Sequence, residues 1–281
     1  MSGYFERSSV SWRVIGHPAA LVGGLRALLL QALHPLAMAG VAQHSRYIED
    51  PMGRLQRTAG YVSTITFGTR AEADAAVAKV RAVHRYVNGI DPVTGRRYSA
   101  SDPDTMLWVH CVEVHSFLAA YRAYARPISA ADQDLYLAEQ VTAAELIGIP
   151  RRRVPASVAE YRDYFASVRG ELCTSPEAES AIAFVRRPAL PSLPAPVRIL
   201  LQPSFLVMGE AATALVPRSL RPLAGLPDPG LLGVPNRVGV AAAANAVAMA
   251  SEIPFLRYAV ETPIVRTLGI KRRSKRAPMA A

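Results

Sequence analysis

Residues 69–89 read TRAEADAAVAKVRAVHRYVNG, and this stretch carries the clearest local signals in the chain. Its first residues, Thr69-Arg70-Ala71-Glu72, match a capping box, in which threonine and a glutamate three residues later cap the start of a helix. Its last residues, Asn88-Gly89, are typical of a helix stop. Between these signals, three valines and a histidine recur at spacings of three and four: Val77, Val80, His84 and Val87. This spacing predicts an amphipathic helix over about residues 70–88 with His84 on its apolar face.

Helical periodicity continues along the chain up to about residue 185, whereas the alternating pattern of strands is scarce. A helix rich in leucine and alanine is predicted within residues 19–42, with a bend where the proline of His34-Pro35 lacks a backbone donor. Further helices are predicted over residues 54–67, 102–126, 130–147 and 157–170, and residues 89–103 are predicted to form a loop. The sequence therefore predicts an all-α fold built as a single multi-helix domain.

The chain changes in character beyond residue 185. Prolines recur there at positions 188, 191, 194, 196, 203, 217, 222, 227, 229 and 235. Proline at this density opposes long uninterrupted helices, so short helices joined by irregular turns are predicted. We predict a helical core over residues 1–185, a Pro-rich and irregular C-terminal part packed on it over 186–270, and a basic tail over 271–281.

Composition and charge restrict the class of protein. The chain is 51% hydrophobic and 19% charged, which excludes a disordered protein and indicates an extensive interior. The formal net charge of +10 is concentrated late in the chain, since residues 186–281 hold 13 Lys and Arg against 4 Asp and Glu. The densest basic stretch, Lys271–Arg276, predicts a solvated tail. The alternative is peripheral contact with an anionic surface such as lipid headgroups, whereas no nucleic-acid reading motif accompanies the tail.

The sequence lacks the motifs of several classes of protein, namely zinc or disulfide proteins, nucleotide-dependent enzymes, common hydrolases, and secreted or membrane-spanning proteins. The only cysteines, Cys111 and Cys173, show no CxxC spacing, so they predict neither a zinc site nor a disulfide scaffold. The chain contains no Gly-rich phosphate loop, no Gly-x-Ser-x-Gly and no His-Glu-x-x-His. The N-terminus lacks the features of a secretory signal, and the apolar run Leu21–Val41 is interrupted by polar residues. We therefore predict a cytoplasmic protein.

The histidines are the strongest candidates for chemistry, and they stand at positions 17, 34, 44, 84, 110 and 115. A histidine on an apolar helix face is usually a hydrogen-bonded core residue. His84, however, combines apolar neighbours and a well-capped helix with Arg81 one turn away, which suits an iron-bound imidazole beside a heme propionate. A nonheme iron site from His110, Glu113 and His115 is the rival, but the two histidines lie about 140° apart around a helix.

A series of motifs in the same order resembles the MpaB/rubber-oxygenase family, which includes the bacterial latex clearing proteins and the fungal oxygenase of mycophenolic acid biosynthesis. The motifs are HSRYIEDPMGRLQRT (44–58), RAVH (81–84), YSA (98–100), Asp102-Pro103 and LWVH (107–110). The resemblance covers roughly residues 30–175 and rests on the order of the motifs, because each one alone is weak.

The resemblance implies an all-helical fold that encloses a b-type heme, with His84 as the proximal iron ligand and Arg81 as its companion. It places Arg54 and Thr58 near the heme as catalytic residues, and His44 and His110 as histidines around the cofactor. Latex clearing proteins have a lysine at the position of Arg57 that can close the distal iron site. Arginine is a poor iron ligand, so this closing device is not expected here, and rubber is a doubtful substrate.

The resemblance therefore implies a heme b-dependent oxygenase that uses O2 on an apolar, unsaturated small molecule such as an isoprenoid or a lipid. Two alternatives remain open at the level of sequence. One is a heme-binding sensor or carrier without turnover, and the other is a heme-free helical module that binds a partner through its basic tail.

Overall fold

The computed structural model describes residues 3–45, 50–188, 195–227 and 239–241, with side chains except at 51–52 and 195–201. These residues are mostly helical, as predicted, with one short hairpin. The described α-helices are α1 (Val10–Ile15), α2 (Ala19–Gln31), α3 (Pro35–His44), α4 (Pro51–Phe67), α5 (Arg70–His84), α6 (Pro103–Tyr124), α7 (Ala130–Ile147), α8 (Val158–Val168), α9 (Pro176–Arg186) and α10 (Ala195–Ala214). Short 3-10 helices cover Arg151–Arg153, Arg169–Glu171 and Arg218–Leu220. The strands β1 (Asn88–Ile90) and β2 (Arg97–Ser99) pair antiparallel.

Helix α5 begins as predicted. The Thr69 hydroxyl accepts a hydrogen bond from the Glu72 backbone N–H at 3.3 Å, and the Glu72 carboxylate accepts one from the Thr69 N–H at 2.9 Å. This reciprocal capping satisfies two backbone donors that the first turn of a helix leaves without intrahelical partners. The capping box is therefore confirmed.

The predicted end of this helix is wrong. Helix α5 ends at His84, and Asn88-Gly89 forms the start of β1, where Asn88 pairs with Ser99. A Cβ atom on Gly89 would lie 2.8 Å from the Tyr98 hydroxyl oxygen. Gly89 thus leaves room for the end of the Tyr98 side chain, whereas the sequence prediction used it as a helix stop. The predicted loop over 89–103 consequently contains a hairpin.

The predicted bend at His34-Pro35 is confirmed, because the chain direction changes by 103° between α2 and α3. His34 ends the turn between them, and its Nδ1 accepts a hydrogen bond from the Ala37 N–H at 3.4 Å. The His34 ring is buried and lies 5.7 Å from the ring of Trp108. Among the described residues, no single helix is long and apolar enough to cross a membrane, although α2 and α3 together would pass such a test as a bent pair.

The other predicted helices also start at polar caps. Asp102 accepts hydrogen bonds from two backbone N–H groups of α6, and Ser129 and Ser157 cap α7 and α8 in the same way. Asp50 caps α4, which begins at Pro51, three residues before the predicted start, and ends at Phe67 with Gly68 as its C-cap, as predicted. Side-chain capping of this kind fixes where each helix begins and so sets the register of the residues on it.

Helix α6 is the centre of the fold. One side of it, including Trp108 and Tyr124, belongs to a core cluster shared with α2, α9 and α10. The opposite side of α6, including Cys111, belongs to a second cluster. This cluster is shared with α1, α7 and α8, and Tyr136 is its member from α7. Helices α2 and α6 form the most extensive helix pair, and they approach closely at Gly23, where a Cβ would lie 2.9 Å from the Phe117 Cα.

The C-terminal third departs from its prediction. Helix α10 runs for 20 residues and contains Pro203, so proline does not keep this region to short helices. The packing of α10 against α2 and α9 explains the difference, because Ala211 and Ala212 are fully buried in the first core cluster. Tertiary packing of this kind outweighs the loss of one backbone hydrogen bond at a proline. The basic tail over 271–281 lies outside the described residues.

Arg26 of α2 is a buried cation that joins this C-terminal helix to the core. Its Nε donates to the Leu215 carbonyl at 2.9 Å, and its Nη1 donates to the Ser116 hydroxyl at 2.6 Å. Burial lowers the pKa of Arg26 to about 10. Breaking such a hydrogen bond leaves a charged donor unpaired in an apolar layer. The free-energy cost of this unpaired charge is larger than the net stabilisation that the bond provides.

Candidate active site

His84 is the last residue of α5 and is half-buried. Burial lowers the pKa of its imidazole, and a hydrogen bond with the Ala100 backbone raises it by less. Its Nδ1 is buried and has no hydrogen-bond partner among the described residues. The ring is therefore neutral near pH 7, and one of its nitrogens is left available to a ligand.

The surroundings of His84 are less uniformly apolar than predicted. Val77 is buried, Val80 is half-buried, and Val83 is exposed. Val87 lies beyond the end of α5, where it packs against Tyr98 and its neighbours on α3. The predicted stripe therefore divides into a helical part before His84 and a hairpin part after it.

The hairpin holds the end of α5 in place. The Ala100 N–H donates to the Val87 carbonyl at 2.8 Å, which brings the residue after β2 back to the segment that follows His84. The Ala100 backbone also lies near enough to the His84 ring to raise its pKa, so the hairpin contributes to the surroundings of the imidazole. The YSA motif at 98–100 thus contributes support to His84 from outside its own helix.

His44 lies at the base of this hairpin. Its Nε2 is 3.0 Å from the Tyr98 hydroxyl and 3.2 Å from the Asn88 carbonyl. The Tyr98 hydroxyl in turn donates to the Gln43 side-chain oxygen at 2.8 Å. The exposed His44 ring therefore ties the hairpin to the end of α3. Its predicted place around a cofactor stays a prediction.

Arg81 is exposed and extends towards the C-terminal end of α7. That end is formed by Gly148 in the left-handed conformation, φ 110°, and a Cβ placed there would lie 3.8 Å from the Arg81 guanidinium carbon. The negative end of a helix dipole attracts such a cation. Arg81 is thus one turn from His84 in sequence, and it also has a structural neighbour on α7.

Helix α4 carries the three other residues that the resemblance assigns to the site. Arg54 is half-buried, and its Nη1 donates to the Ser45 hydroxyl at 2.5 Å, at the end of α3. Arg57 is exposed and forms an ion pair with Asp50 at 3.1 Å. Thr58 is exposed on α4. The motif residues 46–49 lie outside the described residues.

Two polar side chains, His110 and Glu113, follow each other by one turn on α6. Burial lowers the pKa of His110 to about 4 and raises the pKa of Glu113 to about 7. Both side chains nevertheless retain some accessible surface. The burial that they do have favours the uncharged form of each side chain. The His110 Nε2 is buried without a hydrogen-bond partner among the described residues.

Two tyrosines from neighbouring helices lie close to Glu113. Burial raises the pKa of Tyr61 on α4 to a value above the ordinary range, and the charge of Glu113 raises it further. Tyr136 on α7 is shifted upwards in the same way, by burial and then by Glu113 and Glu139. Sequence reasoning considered Glu113 only as a metal ligand and missed Tyr61. The available signal was a carboxylate one turn after His110 on an otherwise apolar helix face.

The rival nonheme site is not assembled in the described residues. His115 lies on another side of α6 from Glu113, since its ring stacks with Tyr161 and its Nδ1 is 3.4 Å from the Arg26 guanidinium. Within the described ranges, no group of three or more His, Cys, Asp or Glu side chains is arranged to hold a metal ion.

A surface cavity of about 450 Å³ lies between α1 and α7. Its lining includes Arg7, Trp12, Arg13 and Asp132, and it contains none of the residues predicted for the site. The candidate residues are therefore His84 and Arg81 on α5, His110 and Glu113 on α6, and Arg54 on α4, and none of the contacts described above joins these three groups.

Comparison with known proteins identifies the family. Residues 12–249 match the family model described as "ER-bound oxygenase mpaB/B'/Rubber oxygenase, catalytic domain". Neither the curated proteins nor the solved structures contain a significant match. The family match covers the first core cluster, all of the second except Val10, and every residue of the candidate site. The chain therefore belongs to the family of MpaB and rubber-oxygenase catalytic domains, and it is an oxygenase-type catalytic domain.

Proposed function

We propose that this catalytic domain is a heme b-dependent oxygenase that uses O2 on an apolar, unsaturated small molecule, with His84 as the iron ligand. The observation that carries the proposal is the imidazole of His84, which is kept neutral by burial and has a buried Nδ1 without a partner in the described residues. An iron ligand must be a deprotonated ring nitrogen on a rigid support, and the capped helix α5 supplies that support.

The residues present fit a heme, which carries two anionic propionates on an apolar ring. Arg81 and Arg54 are the predicted cations on α5 and α4 that would bind the propionates. When bound, heme supplies the binding and activation of O2 at its iron. Arg57 is engaged in a surface ion pair with Asp50, which supports the prediction that this side chain does not close the iron site.

The remaining role of the chain is to hold the substrate and a proton. A hydrophobic content of 51% with few aromatic residues supports an aliphatic lining for an apolar substrate. Glu113 would hold a proton inside the protein, because its carboxyl has a pKa of about 7 and stands near the Tyr61 hydroxyl. His110, neutral at this pH, can accept or donate one hydrogen bond through its unpartnered Nε2.

The proposal predicts that the full chain binds hemin stoichiometrically and develops a Soret absorption band. After anaerobic reduction, exposure to ¹⁸O2 in the presence of unsaturated terpenoids or lipids should yield products that contain ¹⁸O by mass spectrometry. A protein that stays colourless after addition of hemin contradicts both heme functions. Stable heme with O2 binding but no labelled product would instead identify a sensor or carrier.

We predict that Glu113→Gln stabilises the protein at high pH and has little effect at low pH. The folded-state pKa of about 7 lies above the value of 4.5 for an unperturbed glutamate, so the folded protein holds this proton more tightly. In the parent protein, the stability that this bound proton contributes is complete below the unfolded pKa and is lost as the pH rises through the folded pKa. The glutamine variant has no such proton to lose. At pH 8 the variant should therefore exceed the parent by about 3 kcal/mol in free energy of unfolding.

Urea denaturation of both proteins at pH 5 and pH 8 measures this difference. Tyr61 and Tyr136, whose pKa values the Glu113 charge raises, are the same in both proteins, as are all the other titratable groups, so their titration cancels. Glu139→Gln is the matched control, because the Glu139 carboxylate accepts hydrogen bonds from Ser11 at 2.6 and 2.7 Å. That variant should be less stable than the parent. Equal stability of Glu113→Gln and the parent at pH 8 would refute a buried, protonated Glu113.

A further inference from the structure

Among the described residues, the exposed apolar side chains are concentrated in residues 83–93, the segment that includes His84. Eight large hydrophobic residues are exposed in the described ranges, and four of them fall within residues 83–93. These four are Val83 at 55% exposure, Tyr86 at 77%, Ile90 at 57% and Val93 at 46%. Apolar residues scattered singly over a surface need no explanation, but a cluster in one short segment marks an interaction site.

The end of α5 and the hairpin direct these side chains outwards. In residues 84–89 the half-buried positions are His84, Val87 and Gly89, whereas Tyr86 between them is exposed. On the hairpin, Tyr98 is buried against α3, and its neighbours in sequence must point to the opposite face. Ile90 stands opposite Arg97 in the strand register, so these two share the outer face.

The charge of this surface is strongly positive. Arg85 and Arg97 are exposed beside Tyr86 and Ile90, and neither has an ion pair within the described part of the chain. The only carboxylate between residues 75 and 101 is that of Asp91, which is buried and accepts hydrogen bonds from the backbone of the turn that follows. The segment therefore presents apolar and cationic groups without exposed acids of its own, and Glu171, which reaches the hairpin from a later segment, is paired with Arg96 at 3.3 Å.

We propose that this surface, formed by Val83, Tyr86, Ile90 and Val93 together with Arg85 and Arg97 and named here the hairpin surface, docks on an anionic phospholipid bilayer. Arginine binds lipid phosphates with paired hydrogen bonds, and tyrosine and aliphatic side chains enter the headgroup region. A nucleic acid would use the arginines but would leave the three aliphatic side chains in water, so the lipid surface is the better match.

Docking there would place His84 next to the apolar phase in which an apolar substrate dissolves. His84 adjoins Val83 in sequence, and its ring faces inwards while Val83 faces outwards. This delivery of substrate rests on the proposed function, whereas membrane binding itself does not. A binding assay that uses no heme and no substrate therefore separates failure of the docking proposal from failure of the oxygenase proposal.

The test is co-sedimentation of the full chain with vesicles of phosphatidylglycerol and phosphatidylcholine, compared with vesicles of phosphatidylcholine alone. The wild-type protein should bind the anionic vesicles more tightly, and added salt should weaken binding. The double variant Arg85→Gln/Arg97→Gln should bind about 25-fold more weakly, since each basic side chain near an anionic surface contributes about fivefold. The triple variant Val83→Ser/Tyr86→Ser/Ile90→Ser should lose binding to both vesicle types.

Two control variants separate the hairpin surface from other exposed regions. Leu206→Ser/Val207→Ser removes the exposed apolar pair on α10 and should bind vesicles like the wild type. Neutralisation of the basic residues of 271–276 with glutamine tests the tail and should leave most of the binding intact. All replaced residues of the hairpin surface are exposed, so unchanged circular dichroism and thermal unfolding are expected.

Several outcomes would overturn the proposal. Loss of vesicle binding only in the tail variant would assign the membrane contact to 271–276. A dimeric wild type that becomes monomeric in the triple variant, measured by analytical ultracentrifugation, would make the hairpin surface an interface between copies of the chain. Tighter binding to duplex DNA than to anionic vesicles, abolished by the double variant, would show a nucleic-acid surface instead.

Discussion

Replacement of His84 by alanine is expected to remove the Soret band of the hemin-loaded protein and to abolish oxygenase turnover. The imidazole nitrogen that the described residues leave without a partner is the one direct bond to iron that the proposal contains. Because the ring is half-buried at the end of α5, its removal should leave the helical fold in place. Absorption spectra after hemin addition and far-UV circular dichroism measure the two effects separately.

A second variant and a control make the assignment of the ligand specific. His84→Gly leaves room for a free imidazole, so imidazole added to the solution should restore the Soret band of that variant. His17→Ala replaces a histidine that caps α2 through its Nδ1, 3.1 Å from the Ala19 N–H, and should keep the spectrum of the parent. An unchanged Soret band in His84→Ala would reject the ligand, and His110, with its unpartnered Nε2, would then be the histidine to replace.

Two adjacent glycines of α2 should respond to alanine with opposite signs. A Cβ on Gly23 would lie 2.9 Å from both the Phe117 Cα and the Ser116 carbonyl oxygen, and these backbone atoms cannot move aside. Gly23→Ala should therefore force α2 away from α6 and lower the free energy of unfolding by about 1–3 kcal/mol. Gly24 is the matched control, because the nearest atom to its Cβ would be the Phe117 Cε1 at 3.9 Å.

Gly24→Ala should raise the free energy of unfolding by about 0.5–1 kcal/mol, since alanine loses less backbone entropy in a helix than glycine. Urea titrations of both variants, followed by circular dichroism, give the comparison directly. A stabilising Gly23→Ala would mean that α2 and α6 are not in close contact at this point.

Sequence patterns predicted the starts of helices better than their ends. Capping residues such as Thr69, Asp102 and Ser129 act through bonds to the next three residues, so a short motif contains all the information. The end of α5 was missed because the Asn88-Gly89 signal serves a strand, and its pairing with Ser99 joins residues that a local pattern does not relate. Helix α10 was missed because buried alanines, not local propensity, stabilise a helix around Pro203.

The candidate site shows the same division between local and long-range information. His84 and its capped helix could be found from spacing, and the ordered motifs indicated the family that the match over 12–249 shows. The interaction of Glu113 with Tyr61 could not be found in this way, because these residues belong to helices separated by α5 and the hairpin. The contact of Arg81 with the end of α7 and the bond of Arg54 to Ser45 are likewise set by tertiary packing.

The hydrogen bond from Arg26 to the Leu215 carbonyl restricts when the core can close during synthesis of the chain. Arg26 leaves the ribosome early, and its partner follows 189 residues later. Until then, a nascent chain that closed α2 on α6 would enclose a guanidinium group with only part of its hydrogen bonds made. The early helices therefore remain open to water around Arg26 until α10 is complete, so closure of this part of the core depends on the synthesis of α10.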